Sequence, residues 1–475
     1  MAGRRSLRLV IAALGAAALV GATPTGAAAM PGAAGRIDFG DRLQSIDGFG
    51  FAQAFQRAAA INGLFGLTPE NQRAVVDLLL SRERGAGLSI MRLGIGSSPE
   101  NPYDLMKSIQ PVDPGGPNAP PQYVWDGYDG GQVWLAQQAK AYGVERFFAD
   151  AWSAPGYMKT NGDDRSGGNL CGLPGTACAS GDWRQAYANY LVRYLRFYAQ
   201  EGIRISDLGF TNEPDFTASY ASMRFDGPQV VDFLKVLGPT LARSGLRTNL
   251  VCCDAAGWTE QEELTRAIEA DPAARHWTDV HTGHIYKNPA NRPLPTRRPV
   301  WMTEWQPTGN TWNESWDDGS GWSGITVAEN IHDTLTLAGA NAYVYWFGAS
   351  LGATRAFIQL DGANYHVAKR LWAMAAYSRF IRPDANRVAA STAEPGVKVS
   401  AFRNADGSKV IEILNTGSTT TRTSFAVRGL AGARTVSYLT DEAHSLSRTG
   451  NASVRGRNLV VELTPRSLTT VVISR

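Results

Sequence analysis

The chain has 475 residues, with 46 Lys and Arg against 43 Asp and Glu. Arg4, Arg5 and Arg8 lie in the first 29 positions, which hold no acid, so the remainder balances at 43 against 43. That neutrality leaves no electrostatic footprint for nucleic acid or an anionic membrane, and suits an uncharged polymer or one with scattered acidic groups. Thirteen Trp and sixteen Tyr are more aromatic mass than packing needs, and four Cys are too few for a disulfide scaffold.

A charged head, an apolar stretch over 9–20 and the small residues Ala27-Ala28-Ala29 predict a secretory signal over 1–29. A membrane anchor would need roughly 20 apolar residues. The expected product is an extracellular, monomeric protein, and Arg4-Arg5 is compatible with twin-arginine export. In that oxidising setting Cys171 and Cys178, which flank the turn GLPGTA, are expected to form a disulfide. Cys252 and Cys253 are adjacent in a probable strand, where side chains alternate between faces, and are expected to be buried thiols.

Residues 30–46 contain a strand-like segment expected to join a side domain. Eight short apolar runs follow, near 46–51, 88–95, 145–152, 205–214, 248–255, 278–286, 300–305 and 342–348. Helical patterns separate them over 69–81, 131–141, 183–200, 227–241, 259–270 and 326–338, and a last one follows over 367–380. Thr68-Pro69-Glu70 is a typical helix start. Eight strand–helix alternations predict an α/β fold, a (β/α)8 TIM barrel over 47–380, in preference to a doubly wound sheet. From 381 to 475 the pattern is strictly alternating, with turns of Asn, Asp, Gly and Ser, which predicts a C-terminal β-sandwich.

Glu213 in GFTNEPDF and Glu304 in VWMTEWQP each stand just past an apolar run, at the expected ends of the fourth and seventh barrel strands. Two carboxyl groups across a barrel mouth are what glycosidic hydrolysis uses. A separation of about 5–5.5 Å would make the mechanism retaining and about 6.5–9.5 Å inverting. Asn212 is placed to reach the sugar 2-hydroxyl, and Arg92 to point into the mouth and hold a carboxylate ionised. Tyr286 and His284 alternate on the sixth strand, so both face the cleft, with Tyr286 in reach of Glu304. Trp152, Trp305 and Trp346 at strand ends suggest a floor on which sugar rings stack. His281 and His284 lack the helical spacing of a zinc pair, and neither a metal nor a cofactor is expected.

Seven motifs carry a resemblance over nearly the whole chain: IDGFGFAQAF, MRLGIGSS, DAWSAPGYMKTN, TNEPDF, GHIY, TEW and YVYWF. Together they resemble glycoside hydrolase family 30, and the full pattern is most similar to its mainly fungal xylanase branch. The resemblance implies a retaining hydrolase with Glu213 as acid/base and Glu304 as nucleophile. Asn212, Arg92, Tyr286 and Trp346 would support them. The implied partner is a polysaccharide, xylan or glucuronoxylan. β-1,6-Glucan, β-1,6-galactan and glucosylceramide are substrates elsewhere in the family, and a non-catalytic sugar-binding protein is the alternative of a different class. Arg57 is similar in placement to an arginine that contacts a glucuronic acid branch, and Arg355 is a second candidate.

Overall fold

The computed structural model describes residues 33–309, 311–352, 354–428 and 434–474. The expected signal segment lies outside them. Strand β1 (Gly35–Ile46) precedes the barrel, whose strands are β2 (Gly48–Ala52), β3 (Ile90–Ile95), β4 (Arg146–Ala151), β5 (Asp207–Leu208), β6 (Asn249–Ala255), β7 (Val280–His284), β8 (Val300–Glu304) and β9 (Ala342–Phe347). These pair in parallel and in sequence order, and β9 closes on β2. Helices α1 (Arg57–Ile61), α2 (Pro69–Leu80), α3 (Gln132–Ala141), α4 (Arg184–Gln200), α5 (Gly227–Ser244), α6 (Trp258–Ala270), α7 (Pro272–Trp277), α8 (Gly324–Thr336) and α9 (Lys369–Ser378) accompany them. None of the described helices is long and apolar enough to cross a membrane.

Local chemistry sets the helix starts. The Thr68 hydroxyl accepts from Asn71 N–H ahead of Pro69, and Asp226 and Gln229 form a reciprocal capping box at α5. Barrel strands such as β3 are buried along their whole length, as strands covered on both faces must be. Phe148 on β4 and Trp301 on β8 meet edge to face at 6.2 Å although their strands are not neighbours. That contact passes through the barrel interior, which is packed rather than open.

The (β/α)8 fold and the side β domain are therefore both present. Strand β5 is much shorter than the 205–214 run suggests. Gly209 follows it, and a Cβ there would stand 2.2 Å from Asp150 Oδ1. The chain can pass that buried carboxylate only without a side chain, and beyond it leaves the sheet for the mouth. A small sheet of β10 (Ala349–Leu351), β11 (Ile358–Asp361) and β12 (Asn364–Val367) extends the eighth loop.

The C-terminal strands are β13 (Ala385–Thr392), β14 (Val397–Arg403), β15 (Lys409–Asn415), β16 (Thr421–Arg428), β17 (Arg434–Thr440), β18 (Ser447–Thr449), β19 (Ala452–Arg455), β20 (Asn458–Leu463) and β21 (Ser467–Ser474). With β1 they make one ten-stranded sheet. It encloses a core of its own, including Ile37, Val388, Ile411, Phe425 and Val471. Strand β1 sits between β13, antiparallel, and β16, parallel. Trp316 Nε1 donates to Arg466 O at 2.6 Å, and Lys398 pairs with Asp333 at 2.8 Å, so the two parts are bolted together by buried and half-buried polar contacts.

Cys171 and Cys178 form a disulfide. Cys252 and Cys253 do as well, which corrects the expectation of two buried thiols. The strand-alternation argument presumes a trans peptide. The peptide between them is cis and their Cα atoms are 3.0 Å apart, so the side chains share one side.

Candidate active site

Five barrel strands and the segment after β5 bring one charged cluster to the C-terminal mouth. Arg92 on β3 is fully buried and stands at its centre. Its guanidinium donates to Glu304 Oε2, to Asp150 Oδ2 at 2.7 Å, to Asn212 Oδ1 at 2.6 Å and to Asp254 Oδ2 at 3.1 Å. The Trp152 ring lies 4.5 Å from the guanidinium carbon. Arg is the side chain with enough fixed donors to serve four acceptors.

Glu304 ends β8, in register with His284 on β7. Its second oxygen accepts from the Tyr286 hydroxyl at 2.9 Å. Glu213 takes φ 47° and Asp254 φ 54°, left-handed backbone that costs a non-glycine residue about 1–3 kcal/mol and tends to gather at working sites. Glu213 N–H donates to Asp254 O at 2.8 Å, which fixes that turn. The Glu213 carboxylate meets His284 Nδ1 at 3.1 Å and accepts from Tyr220 at 3.4 Å. One ligand-type atom each of Glu213, His284 and Glu304 lies within 4.8 Å of the others, so the two carboxylates approach at least that closely. A divalent cation would find three ligands there, but the permanent charge of Arg92 against Glu304 opposes it.

Burial pushes the Glu304 carboxyl above its ordinary range, His284 and Arg92 pull it down, and Glu213 adds to the rise; the net shift is upward. Burial would lower His284, but Glu304, Glu213 and Asp254 raise it instead. Deeper in, burial and Asp254 push Asp150 well up, while Arg92 and His284 hold Asp254 down against its own burial. Two acids beside one arginine thus keep a proton between them.

The mouth opens as a cavity of about 680 Å³. Trp346 and Trp152 form its floor, tilted at 5.6 Å, with Phe55 against both. Phe216 and Tyr220 form another part of its lining. Trp305 does not line the cavity; it packs half-buried against the barrel core, and its backbone carbonyl accepts from Trp346 N–H at 3.0 Å. Asn212 and His284 lie just beneath the lining rather than on it. Arg57 and Arg355 both line the cavity. Arg57 is already paired with Asp104, donates to Phe55 O at 2.7 Å and lies over the rings of Tyr103 and Phe347. Arg355 has no carboxylate partner among the described residues, and its Nε is buried without a hydrogen bond.

Sequence reasoning missed Asp150, Asp254 and Tyr220. Asp150 and Asp254 sit near the ends of apolar runs, FFADAW and LVCCDA, a signal of the same kind as that for Glu213. Tyr220 lies in a loop and carries none.

A packed barrel with a side β domain and a buried pair of carboxylates in an aromatic cleft defines a glycosidase-type hydrolase. The glycosyl hydrolase family 30 TIM-barrel domain matches residues 131–291, and the family's beta sandwich domain matches residues 384–471. The catalytic domain of GH30 xylanase C from Talaromyces cellulolyticus is 38% identical, covering 93% of this chain and 100% of that one, with a TM-score of 0.87. The chain belongs to glycosyl hydrolase family 30. A glucuronoxylanase of Bacillus subtilis is 23% identical over 300 residues, 61% of this chain and 66% of that protein. An endo-1,6-β-D-glucanase of Trichoderma harzianum is 25% identical over 415 residues, 78% of each. The chain thus spans just under two thirds of the length of the glucuronoxylanase it matches.

Proposed function

We propose that the protein is a secreted, retaining hydrolase of β-1,4-xylosidic bonds in xylan or glucuronoxylan, with Glu304 as nucleophile and Glu213 as acid/base. The observation that carries the retaining reading is the approach of one oxygen of each carboxylate within 4.8 Å, closer than the roughly 6.5–9.5 Å between the carboxyl groups of an inverting enzyme.

Glu304 attacks the anomeric carbon while Glu213 protonates the departing oxygen, and water assisted by Glu213 then releases the sugar from Glu304. Arg92 favours the ionised form of Glu304, offsetting its burial. Burial and the two glutamates push the Tyr286 phenol up, so it keeps its proton for Glu304. His284 Nδ1 lies 3.1 Å from Glu213 Oε1, within reach to pass it a proton for the leaving group. Arg92 occupies the Asn212 carbonyl, leaving its amide hydrogens for a sugar hydroxyl.

The xylan reading draws on the 38% identity to a xylanase over its full chain. The glucanase match over 78% of this chain favours a second reading, cleavage of β-1,6-glucan. Product analysis on glucuronoxylan, linear xylan and β-1,6-glucan in parallel separates them. Short xylo-oligosaccharides with little release from glucan are expected; glucan cleavage at an equal or higher rate rejects the xylan reading.

A further inference from the structure

On the outer wall of the barrel, α4 and the last turn of α5 flank a second cavity of about 400 Å³. It shares no lining residue with the cleft and falls within the size range of small-molecule sites, roughly 300–1,000 Å³. Arg193 and Arg196 of α4 and Arg243 of α5 all line it, and no acid does.

On α4 and α5 it is the arginines lining this cavity that lack a carboxylate partner among the described residues. The other two basic residues of these helices are paired: Arg184 with Asp182 and Asp232, both at 2.6 Å, and Lys235 with Asp271 at 3.0 Å. Among the described residues Arg193, Arg196 and Arg243 have no such partner. Three guanidinium groups left this way around one hollow concentrate positive charge there and favour an anion between them.

The remaining lining narrows the anion. The Arg193 guanidinium carbon lies over Tyr123 at 5.2 Å and over Phe197 at 5.1 Å, which holds the fork in place. Tyr123 itself lines the cavity, as does Val192, and together they supply an apolar wall. The Asn189 carbonyl is taken by Gln185 at 3.0 Å, so its amide hydrogens are the end offered to a ligand. A carboxylate for the arginines, a ring face for Tyr123 and hydroxyls for Asn189 together describe a sugar acid. Inorganic phosphate would satisfy the arginines but leave the apolar wall unused.

We propose that this cavity is a second, non-catalytic binding site for uronic acid units, which holds the enzyme on an acidic polysaccharide between cleavages. The choice of polymer rests on the xylan reading above; the affinity for a uronate does not.

Calorimetric titration with methylglucuronosyl-xylotriose tests it, using full-length Glu304→Gln protein to prevent turnover. The same protein with Arg193→Gln, Arg196→Gln and Arg243→Gln should lose one binding equivalent. If the cleft also takes this ligand the count falls from two to one, and if the xylan reading is wrong it falls from one to zero. Linear xylotetraose should give the same count in both proteins. Arg196→Gln alone, a change at an exposed side chain, should weaken the second site about tenfold, as the loss of one charge-assisted contact would. An unchanged count in the triple variant overturns the site. Inorganic phosphate binding there as tightly as the aldouronic acid overturns its assignment to sugars.

Discussion

Arg92 and Glu304, 212 positions apart in the chain, are joined in a buried ion pair at the barrel mouth. Arg92 is held there by two further acids and an amide, so its position does not depend on Glu304. The proposed nucleophile, Glu304, is therefore presented to a charge that is already fixed, which is the arrangement that stabilises charge without reorganisation.

This pair makes the pH profile informative. Burial raises Glu304 above its ordinary value of 4.5, and attack requires the ionised form. The acidic limb of kcat/KM should thus lie above the usual carboxylate range. Arg92→Lys keeps a charge but cannot reach four acceptors at once, so the limb should move further up in pH. A pH–rate series on an aryl xyloside reads this directly, and an unmoved limb would show that Arg92 does not control Glu304.

The two cleft arginines should behave differently. Arg57 already spends its charge on Asp104, whereas Arg355 does not have such a partner among the described residues. Arg355→Ala should lose about 1–3 kcal/mol of transition-state stabilisation on glucuronoxylan, the range of a charge-assisted contact, and little on linear xylo-oligosaccharides. Arg57→Ala should lower both, because it frees Asp104 and unseats the Tyr103 and Phe347 contacts. A selective loss in Arg57→Ala alone would reverse the assignment.

Glu412 on β15 gives a test in the side domain. It is fully buried, one oxygen accepts from Thr470 at 2.7 Å and the other has no partner among the described residues. Burial pushes its carboxyl well above 4.5. The folded state then binds a proton that the unfolded chain has released, so stability is complete below about 4.5 and falls as pH rises towards the folded value. Glu412→Gln takes up no proton on folding, so it removes that slope and should be more stable than wild type near neutrality. Calorimetric melting between pH 5 and 8 should show the wild-type midpoint dropping more steeply than the variant's; parallel curves would contradict this.

Most of the barrel was legible because parallel strands buried on both faces are continuous apolar runs, and all eight runs correspond to strands. Glu213 and Glu304 stood out because each acid interrupts aromatic and apolar neighbours. What sequence could not show is tertiary. Arg92 gathers residues from several parts of the chain, so the place of Asp150 and Asp254 beside it shows only in the fold. Gly209 read as one more residue of a strand, yet its missing side chain is what lets the chain pass Asp150. Trp305 stands at a strand end as Trp152 and Trp346 do, yet it packs against the core and does not line the cavity. The Cys252–Cys253 disulfide escaped a rule that presumes trans peptides.

The central claim, a covalent sugar ester on Glu304 formed with Glu213 as acid/base, is tested most directly by azide rescue of Glu213→Ala. With an aryl β-xylobioside the leaving group needs no acid, and the intermediate waits for a nucleophile that needs no general base. Proton NMR of the product should show the β-glycosyl azide, with turnover restored by azide. An α-azide, or no azide product from a folded variant that still turns over, would contradict the account.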